Sequence, residues 1–138
     1  MNIDILLEKG AKMPVKAHDT DGGFDFFTPI AFTLPPRGSA SIETGVHMII
    51  PKGWGGLFVS KSGLHHSKDI ETTGYVDAHY TGNIRIKLQS HCDREYHFNK
   101  GDKISQMIIL PVPDVELVEI DELPKTERGN RGFGSTGR

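Results

Sequence analysis

The chain contains very little cysteine or tryptophan, with one residue of each among its 138. A lone cysteine, Cys92, cannot form a disulfide within the chain, which excludes a disulfide-stapled scaffold and is typical of a reducing compartment. Long apolar runs are also missing. The longest strongly apolar stretch, Met107 to Leu110, is far shorter than the roughly 20 residues that span a bilayer, and the first residues do not resemble a secretory signal. We therefore expect a cytoplasmic protein with no membrane partner.

An excess of charge of one sign is absent as well, because 16 basic residues face 18 acidic ones and the net charge is -2. Proteins that bind nucleic acid or anionic membranes usually carry a cationic surface, so we expect neither partner. The seven histidines include no spaced pair combined with cysteine ligands. This spacing argues against a structural zinc site.

Glycine and proline are plentiful, with 16 and 8 residues respectively. They interrupt the chain about every eight to twelve residues, a pattern typical of an all-β sandwich or barrel. In the run from Ile84 to Leu88, apolar residues alternate with Arg85 and Lys87, which predicts a strand with one buried face. Helical periodicity is nearly absent, so we expect at most one short helix, near Leu64 to Lys68. The other predicted strands are Ile3 to Leu7, Ala31 to Leu34, Ala40 to Glu43, Val46 to Ile50, Gly56 to Ser60, Arg94 to Phe98, Ile104 to Val112 and Val115 to Glu119.

A chain of this length suits one domain, so an elaborate site must be compact or shared between subunits. We predict a domain over residues 1–120 and a glycine-rich arm over residues 121–138, where apolar residues are too few for a core. Such a tail is either disordered or a phosphate-binding arm. In the second case its glycines expose backbone N–H groups, and Ser135, Thr136 and Arg128 add donors. Phe133 could then lie flat on a nucleobase.

Three internal segments have the chemistry of a site. Asp77 and Tyr80 are predicted on a tight hairpin within Gly74 to Gly82, where the aspartate is either a turn residue or a general base. The segment from Ser60 to Leu64 is either a loop or an anion nest. Gln106 interrupts an apolar strand, and a buried amide needs hydrogen-bond partners.

Together with two further segments, these resemble the five motifs of the trimeric dUTPase family, in the family's order, from about Ala17 to Gly137. Each motif alone is a loose pattern, whereas five collinear matches are hard to obtain by chance. The matching segments are Asp21 to Phe26, Ser60 to Leu64, Gly74 to Gly82, Gly101 to Gln106 and Arg128 to Gly137.

The resemblance implies a fold, a reaction and an assembly. The fold would be a distorted jelly-roll of the β-clip type, forming a homotrimer with active sites shared between subunits. The reaction would be magnesium-dependent hydrolysis of dUTP to dUMP and pyrophosphate, through attack of water on the α-phosphate. This reaction would lower dUTP and supply dUMP for thymidylate synthesis.

The resemblance also implies residue roles. Asp77 would deprotonate the attacking water, and Tyr80 would pack on the deoxyribose and exclude a 2′-hydroxyl. Asp25 would contact magnesium through water, the metal being bound directly by the triphosphate. Backbone groups near Asp77 would read the uracil, and Phe133 would cover it. The implied substrate-binding residues are Lys61, Ser62, Gly63, Gly74, Val76, Tyr80, Gln106, Arg128, Phe133, Gly134, Ser135 and Thr136.

The chain departs from the family pattern at two positions. Ser60 and Lys61 stand where Pro-Arg is usual, which keeps a positive charge but loses the bidentate fork of arginine. Arg131 stands where a glycine is common, which could alter closure of the arm.

Three alternative functions can be weighed from the residues. A related dCTP deaminase needs a glutamate about where Lys87 stands, which disfavours deamination. A dCTP-hydrolysing variant stays open, because Glu71 could accept a hydrogen bond from the amine of cytosine. A regulatory trimer without activity is disfavoured because both Asp77 and Tyr80 are present.

Overall fold

The computed structural model describes residues 1–137, which form eleven strands and one short helix, so the all-β prediction is confirmed. Over these residues no helix is long and apolar enough to cross a membrane. The elements are β1 Asp4–Leu7, β2 Phe24–Phe27, β3 Phe32–Leu34, β4 Ser39–Glu43, β5 Val46–Ile49, β6 Trp54–Val59, α1 Ser62–Lys68, β7 Ile70–Glu71, β8 Gly74–Val76, β9 Arg85–Ser90, β10 Tyr96–Phe98 and β11 Lys103–Pro111.

The strands form four antiparallel sheets. The largest has the order β2-β11-β6-β8, and a three-stranded sheet has the order β4-β9-β7. Two ribbons, β1-β5 and β10-β3, complete the described part of the chain. The longest strand, β11, pairs with β2 on one side and β6 on the other, and so brings residues far apart in sequence side by side.

The core follows from alternation along the strands. Ile86 and Leu88 on β9 are each 1% exposed, whereas Arg85 and Lys87 face solvent, as the sequence pattern predicts. The aromatic rings of the largest sheet also pack inward, with Phe26 and Phe58 edge to face at a centroid distance of 4.9 Å. The buried apolar residues are Phe26, Leu34, Ile42, Val46, Met48, Ile50, Phe58, Ile70, Ile84, Ile86, Leu88, Phe98, Ile104 and Met107.

Three predictions of local structure need correction. The strand predicted from Val115 to Glu119 is wrong, since no helix or strand follows Pro111 up to residue 137 and Leu117 is 94% exposed. Its apolar residues imitate a strand, but no strand edge of the same subunit pairs with them. Conversely, β2 and β7 were not predicted. Three of the four β2 residues are buried, so that strand lacks alternation, and β7 has only two residues.

Candidate active site

Three neighbouring strands bring the first, second and fourth sequence segments together. Asp25 on β2 lies opposite Gln106 on β11, and Gln106 lies opposite Val59 at the end of β6. Lys61 follows two residues after Val59. Segments distant in sequence therefore meet at one edge of the largest sheet.

Asp25 lies at the centre of a charged cluster. It is 3% exposed, its Oδ1 lies 2.5 Å from the Lys61 Nζ, and its Oδ2 lies 2.9 Å from the Lys103 Nζ. Burial raises the pKa of Asp25, but the hydrogen bonds and charges of the two lysines together outweigh burial, so the pKa is lowered. We call these three residues the lysine–aspartate cluster. With two ammonium groups and one carboxylate it carries an excess positive charge, which favours an anion.

The amide of Gln106 is held in place within this edge. Its Nε2 donates to the Ser60 carbonyl oxygen at 3.2 Å. On its other side is Gly23, where an added Cβ would lie 2.9 Å from the Gln106 Oε1. Any larger residue at position 23 would therefore displace the amide. The partner that the sequence analysis required for this polar group is present.

Ser62 and Gly63 lie in the first turn of α1 and not in a loop. The helix starts after Lys61 without a side-chain cap, so the first backbone N–H groups have no helical acceptor. Ser60 serves another purpose, since its hydroxyl accepts from the Thr72 N–H at 3.0 Å and donates to the Thr72 carbonyl at 3.2 Å. That exchange ties the start of the helix to the segment between β7 and β8. No atom would lie within 4 Å of a Cβ at Gly63, so this turn is open.

Asp77 and Tyr80 lie in a loop that joins two sheets. The predicted hairpin is wrong, because β8 pairs with β6 while β9 pairs with β4 and β7. The Tyr80 N–H donates to the Asp77 carbonyl at 3.3 Å, and the His79 N–H donates to the Ile50 carbonyl at 2.9 Å. Among residues 1–137 the exposed Asp77 carboxylate has no hydrogen-bond donor.

The ring of Tyr80 folds back over its own loop. Its hydroxyl donates to the Asn83 carbonyl at 3.2 Å, and the side chain is 46% exposed. A Cβ on Gly82 would lie 2.6 Å from the ring carbon Cζ, so the ring rests on the glycine backbone. Just before this loop, Gly74 and Val76 on β8 lie opposite Phe58 and Gly56.

Residues of the arm do not reach the rest of the site within the subunit. In the described chain, residues 113–137 hydrogen-bond only among themselves, for example Arg128 Nε to the Arg131 carbonyl at 2.8 Å. Phe133 is fully exposed, and Gly134 adopts a positive φ of 80° in a turn that precedes Ser135 and Thr136. Arg138 lies outside the described residues.

One functional side chain had no role assigned from the sequence. Lys103 belongs to the fourth segment, but the sequence has no signal that its ammonium group would pair with Asp25. The pairing depends on the register of β2 against β11, which carries a bulge between Lys103 and Ser105. A local pattern does not encode such a register.

Comparison with known proteins agrees with this geometry, because residues 9–137 match the dUTPase family model. The chain is 38% identical over 130 residues to the deoxyuridine 5'-triphosphate nucleotidohydrolase of Kluyveromyces lactis, covering 93% of this chain and 88% of that protein. It is 34% identical over 142 residues to the enzyme of that name from Tropheryma whipplei, covering 100% and 97%. The chain belongs to the dUTPase family.

Solved structures extend the agreement to the fold. The dUTPase of Staphylococcus bacteriophage 80alpha with dUpNHpp superposes with a TM-score of 0.93 at 30% identity, covering 99% of both chains. The dUTPase of phage phi11 of S. aureus, which coordinates a structural Mg(II) ion, superposes with a TM-score of 0.82 at 29% identity, covering 88% of this chain and 98% of that one. The jelly-roll-like fold that the sequence resemblance implied is thus confirmed.

Proposed function

We propose that this chain hydrolyses dUTP to dUMP and pyrophosphate, with Asp77 as the general base for the water that attacks the α-phosphorus. The observation that carries the proposal is the exposed Asp77 carboxylate on a pinned loop, in a chain that matches the dUTPase family over residues 9–137. A carboxylate with no internal donor keeps its lone pairs for a water molecule.

The other groups of the site would position the substrate. Phosphoryl transfer depends mainly on positioning and charge neutralisation, which the lysine–aspartate cluster and the open first turn of α1 can provide. Lys61, Ser62, Gly63 and Gln106 would hold the phosphates. The ring of Tyr80 would pack against the deoxyribose where a 2′-hydroxyl would otherwise fit, and the backbone of Gly74 and Val76 would read the uracil edge.

Magnesium would arrive with the triphosphate. Within residues 1–137, no group of three or more His, Cys, Asp or Glu side chains could hold a metal ion, which suits a metal held by phosphate oxygens. Asp25 suits outer-shell contact, because a carboxylate offers about four acceptor sites and the lysines occupy two of them. When bound, the metal neutralises phosphate charge.

The register of the largest sheet supports a site shared between subunits. Val76 lies opposite Gly56, so Asp77 follows near Gly55, six positions from Lys61 along the same strand direction. At about 3.3 Å per residue the two lie about 20 Å apart. The His79 contact with the Ile50 carbonyl holds the loop at that distant end. Since a general base must lie within hydrogen-bond reach of its water, we assign the two halves of each site to different subunits.

A homotrimer is the assembly that we propose, and the exposed end of the chain supports contact with other copies. Val115 is 70%, Leu117 94%, Val118 69% and Leu123 80% exposed. Apolar side chains exposed in such a row are usually covered by a partner. We further propose that residues 121–138 form an arm closing over the site of another subunit, with Phe133 over the base and Arg128, Ser135 and Thr136 at the γ-phosphate.

The dCTP-hydrolysing alternative has no support in the structure. The Glu71 Oε1 lies 2.8 Å from the His91 Nε2, so this carboxylate already has a partner on the β7–β9 sheet. Lys87, at the position where a deaminase would need its glutamate, faces solvent. We propose a cytoplasmic location, with which the free thiol of Cys92 agrees.

The proposed reaction can be tested by pyrophosphate release from dUTP, dCTP, dTTP and UTP, with and without magnesium. We expect rapid release from dUTP with magnesium and much slower release from the other three nucleotides. Equal rates for dUTP and dCTP that converge further in Glu71→Gln would overturn the uracil preference. Absence of release from all four would overturn the hydrolase assignment.

A further inference from the structure

A second polar network lies beneath the loop that carries Asp77 and Tyr80. The ring of His47, on β5, has its Nδ1 2.8 Å from the Thr81 carbonyl and its Nε2 3.1 Å from the Glu8 Oε2. The same Glu8 oxygen accepts from the Asn83 Nδ2 at 2.8 Å. These contacts join the loop to β5 and to the residue that follows β1.

We propose that Glu8, His47 and Asn83, which we name the loop clamp, are positioning residues that hold the 77–83 loop in the conformation that selects a deoxyribonucleotide. This inference rests on the proposed function and adds residues that lie outside the five matching segments or have no role within them. The clamp does not touch the reacting atoms. It acts through Tyr80.

Tyr80 is connected to the clamp on two sides. Thr81, whose carbonyl contacts His47, is its immediate neighbour, and the Asn83 carbonyl accepts the Tyr80 hydroxyl at 3.2 Å. The Asn83 side chain is itself fixed, because its Oδ1 accepts from the Gly45 N–H at 3.0 Å. The ring that excludes a 2′-hydroxyl therefore lies on a backbone held from both directions.

The protonation of His47 decides how many bonds the clamp makes. The Thr81 carbonyl and the Glu8 carboxylate can only accept, so the ring donates to both only as imidazolium. The Thr81 hydrogen bond and then the Glu8 hydrogen bond and charge raise the pKa of His47 from its ordinary 6.5. A raised pKa means that the clamp is complete below pH about 6.5 and loses one bond as the pH rises through the raised value.

The charged surroundings of His47 are simple. Glu8 is the one ionisable side chain among residues 1–137 that hydrogen-bonds its ring. Asp4, on β1, lines the shallow groove that His47 shares with Thr81. From the loop itself, Asp77 and His79 are the ionisable groups.

Two variants separate the contributions. His47→Leu removes both ring bonds while keeping an apolar side chain of similar size on the strand. Glu8→Gln keeps an oxygen for Asn83 and can donate its amide to a neutral His47 ring, so its clamp should no longer need the imidazolium. His91→Leu is the matched control, since His91 forms a similar pair with Glu71 beyond the other end of β9.

The test compares hydrogen exchange of the 77–83 amides with the dUTP-to-UTP ratio of kcat/KM between about pH 6 and pH 9. In His47→Leu we expect faster loop exchange and a selectivity ratio about two- to tenfold lower, the usual worth of a hydrogen bond. In the wild type the ratio should fall as the pH rises, whereas in Glu8→Gln it should be flat. His91→Leu should behave as the wild type.

The outcomes discriminate sharply. Unchanged loop exchange in His47→Leu, or a pH-dependent ratio that persists unaltered in Glu8→Gln, would overturn the clamp. Faster exchange with unchanged selectivity would also overturn it, because the loop would then move without affecting the sugar site. If the wild type hydrolyses no dUTP, the proposed function falls alone, since loop exchange and its pH dependence still decide whether the clamp holds. If His47→Leu does not fold, Glu8→Gln carries the same decision.

Discussion

The ammonium group of Lys61 and the carboxylate of Asp25 lie 2.5 Å apart, although 36 positions separate them in sequence. The pair connects β2 to the turn between β6 and α1. Lys103 contacts the other carboxylate oxygen, so both oxygens of a buried side chain are neutralised. The same contact that stabilises the sheet edge also keeps two cations close to the proposed phosphate site.

Replacement of Asp25 by asparagine should destabilise the fold by about 1.5 to 3 kcal/mol at neutral pH, because hydrogen bonds to a charged group are lost and two ammonium groups repel. Since the folded pKa of Asp25 is lowered, its contribution is fully present above its ordinary 3.8 and is lost as the pH falls through the folded value. Denaturant unfolding at one protein concentration, at about pH 7 and about pH 2.5, measures both effects.

Asp93→Asn is the matched control for that experiment. Asp93 also pairs with a cation, Arg37, but their side chains are 80% and 67% exposed. Solvent screens such a pair, so the unfolding midpoint should hardly move. Equal losses in the two variants would show that the burial of Asp25 does not matter.

Asp77→Asn should keep nucleotide affinity and lower turnover by about two to four orders of magnitude, the usual contribution of a positioned general base. The amide replaces the carboxylate with nearly the same shape, so binding contacts of the loop persist. Calorimetry with dUpNHpp and steady-state kinetics with dUTP measure the two quantities separately. Turnover close to that of the wild type would remove Asp77 from the mechanism.

Tyr80→Ala should relax the discrimination between dUTP and UTP, because the ring is proposed to fill the space of a 2′-hydroxyl. Tyr80→Phe keeps the ring and loses only the hydroxyl bond to the Asn83 carbonyl. We therefore expect the phenylalanine variant to retain most of the selectivity. The ratio of kcat/KM for the two nucleotides is the measurement, and an unchanged ratio in Tyr80→Ala contradicts the role.

Gly82→Ala should impair the same discrimination without touching the tyrosine. The new Cβ would lie 2.6 Å from the Tyr80 Cζ, and the exposed ring can move away at little cost to the fold. Selectivity should fall while the melting temperature stays nearly constant. Gly22→Ala is the control, since a Cβ there meets nothing within 4 Å. Equal selectivity in the two variants would mean that the observed ring position is unimportant.

Mixed trimers test the shared site. Asp77→Asn trimers and trimers truncated after Pro124 should each be nearly inactive. If the loop and the arm of one site come from different chains, random assembly of equal amounts completes about one quarter of the sites. The two proteins, unfolded and refolded together, should then regain activity that neither parent has. Continued inactivity, with mixed trimers confirmed by mass spectrometry of tagged chains, would place the loop and arm on one chain.

Much of the fold was predictable because its strands alternate or are bounded by turn formers. Burial of Ile86 and Leu88 beside exposed Arg85 follows directly from period two. The strand from Phe24 to Phe27 was missed because burial on both sides removes the alternation. The error over Val115 to Glu119 has the opposite origin, since apolar residues predict burial without saying against which chain.

The chemistry of the site was predictable as residue types, and its geometry was not. The free Asp77 carboxylate and the fixed Gln106 amide agree with the expectations for those side chains. The link from His47 to Glu8 joins residues 39 positions apart and depends on the pairing of β1 with β5. Local sequence patterns contain no such long-range register.

The loop that carries Asp77 and Tyr80 starts from one sheet and ends in another, since β8 pairs with β6 and β9 with β4 and β7. A chain that has formed only one of these sheets cannot give the loop its two anchored ends. The binding surface is therefore among the last features to appear during folding. A ligand that needs this loop binds the completed fold alone, and so stabilises it by mass action against every partly folded form.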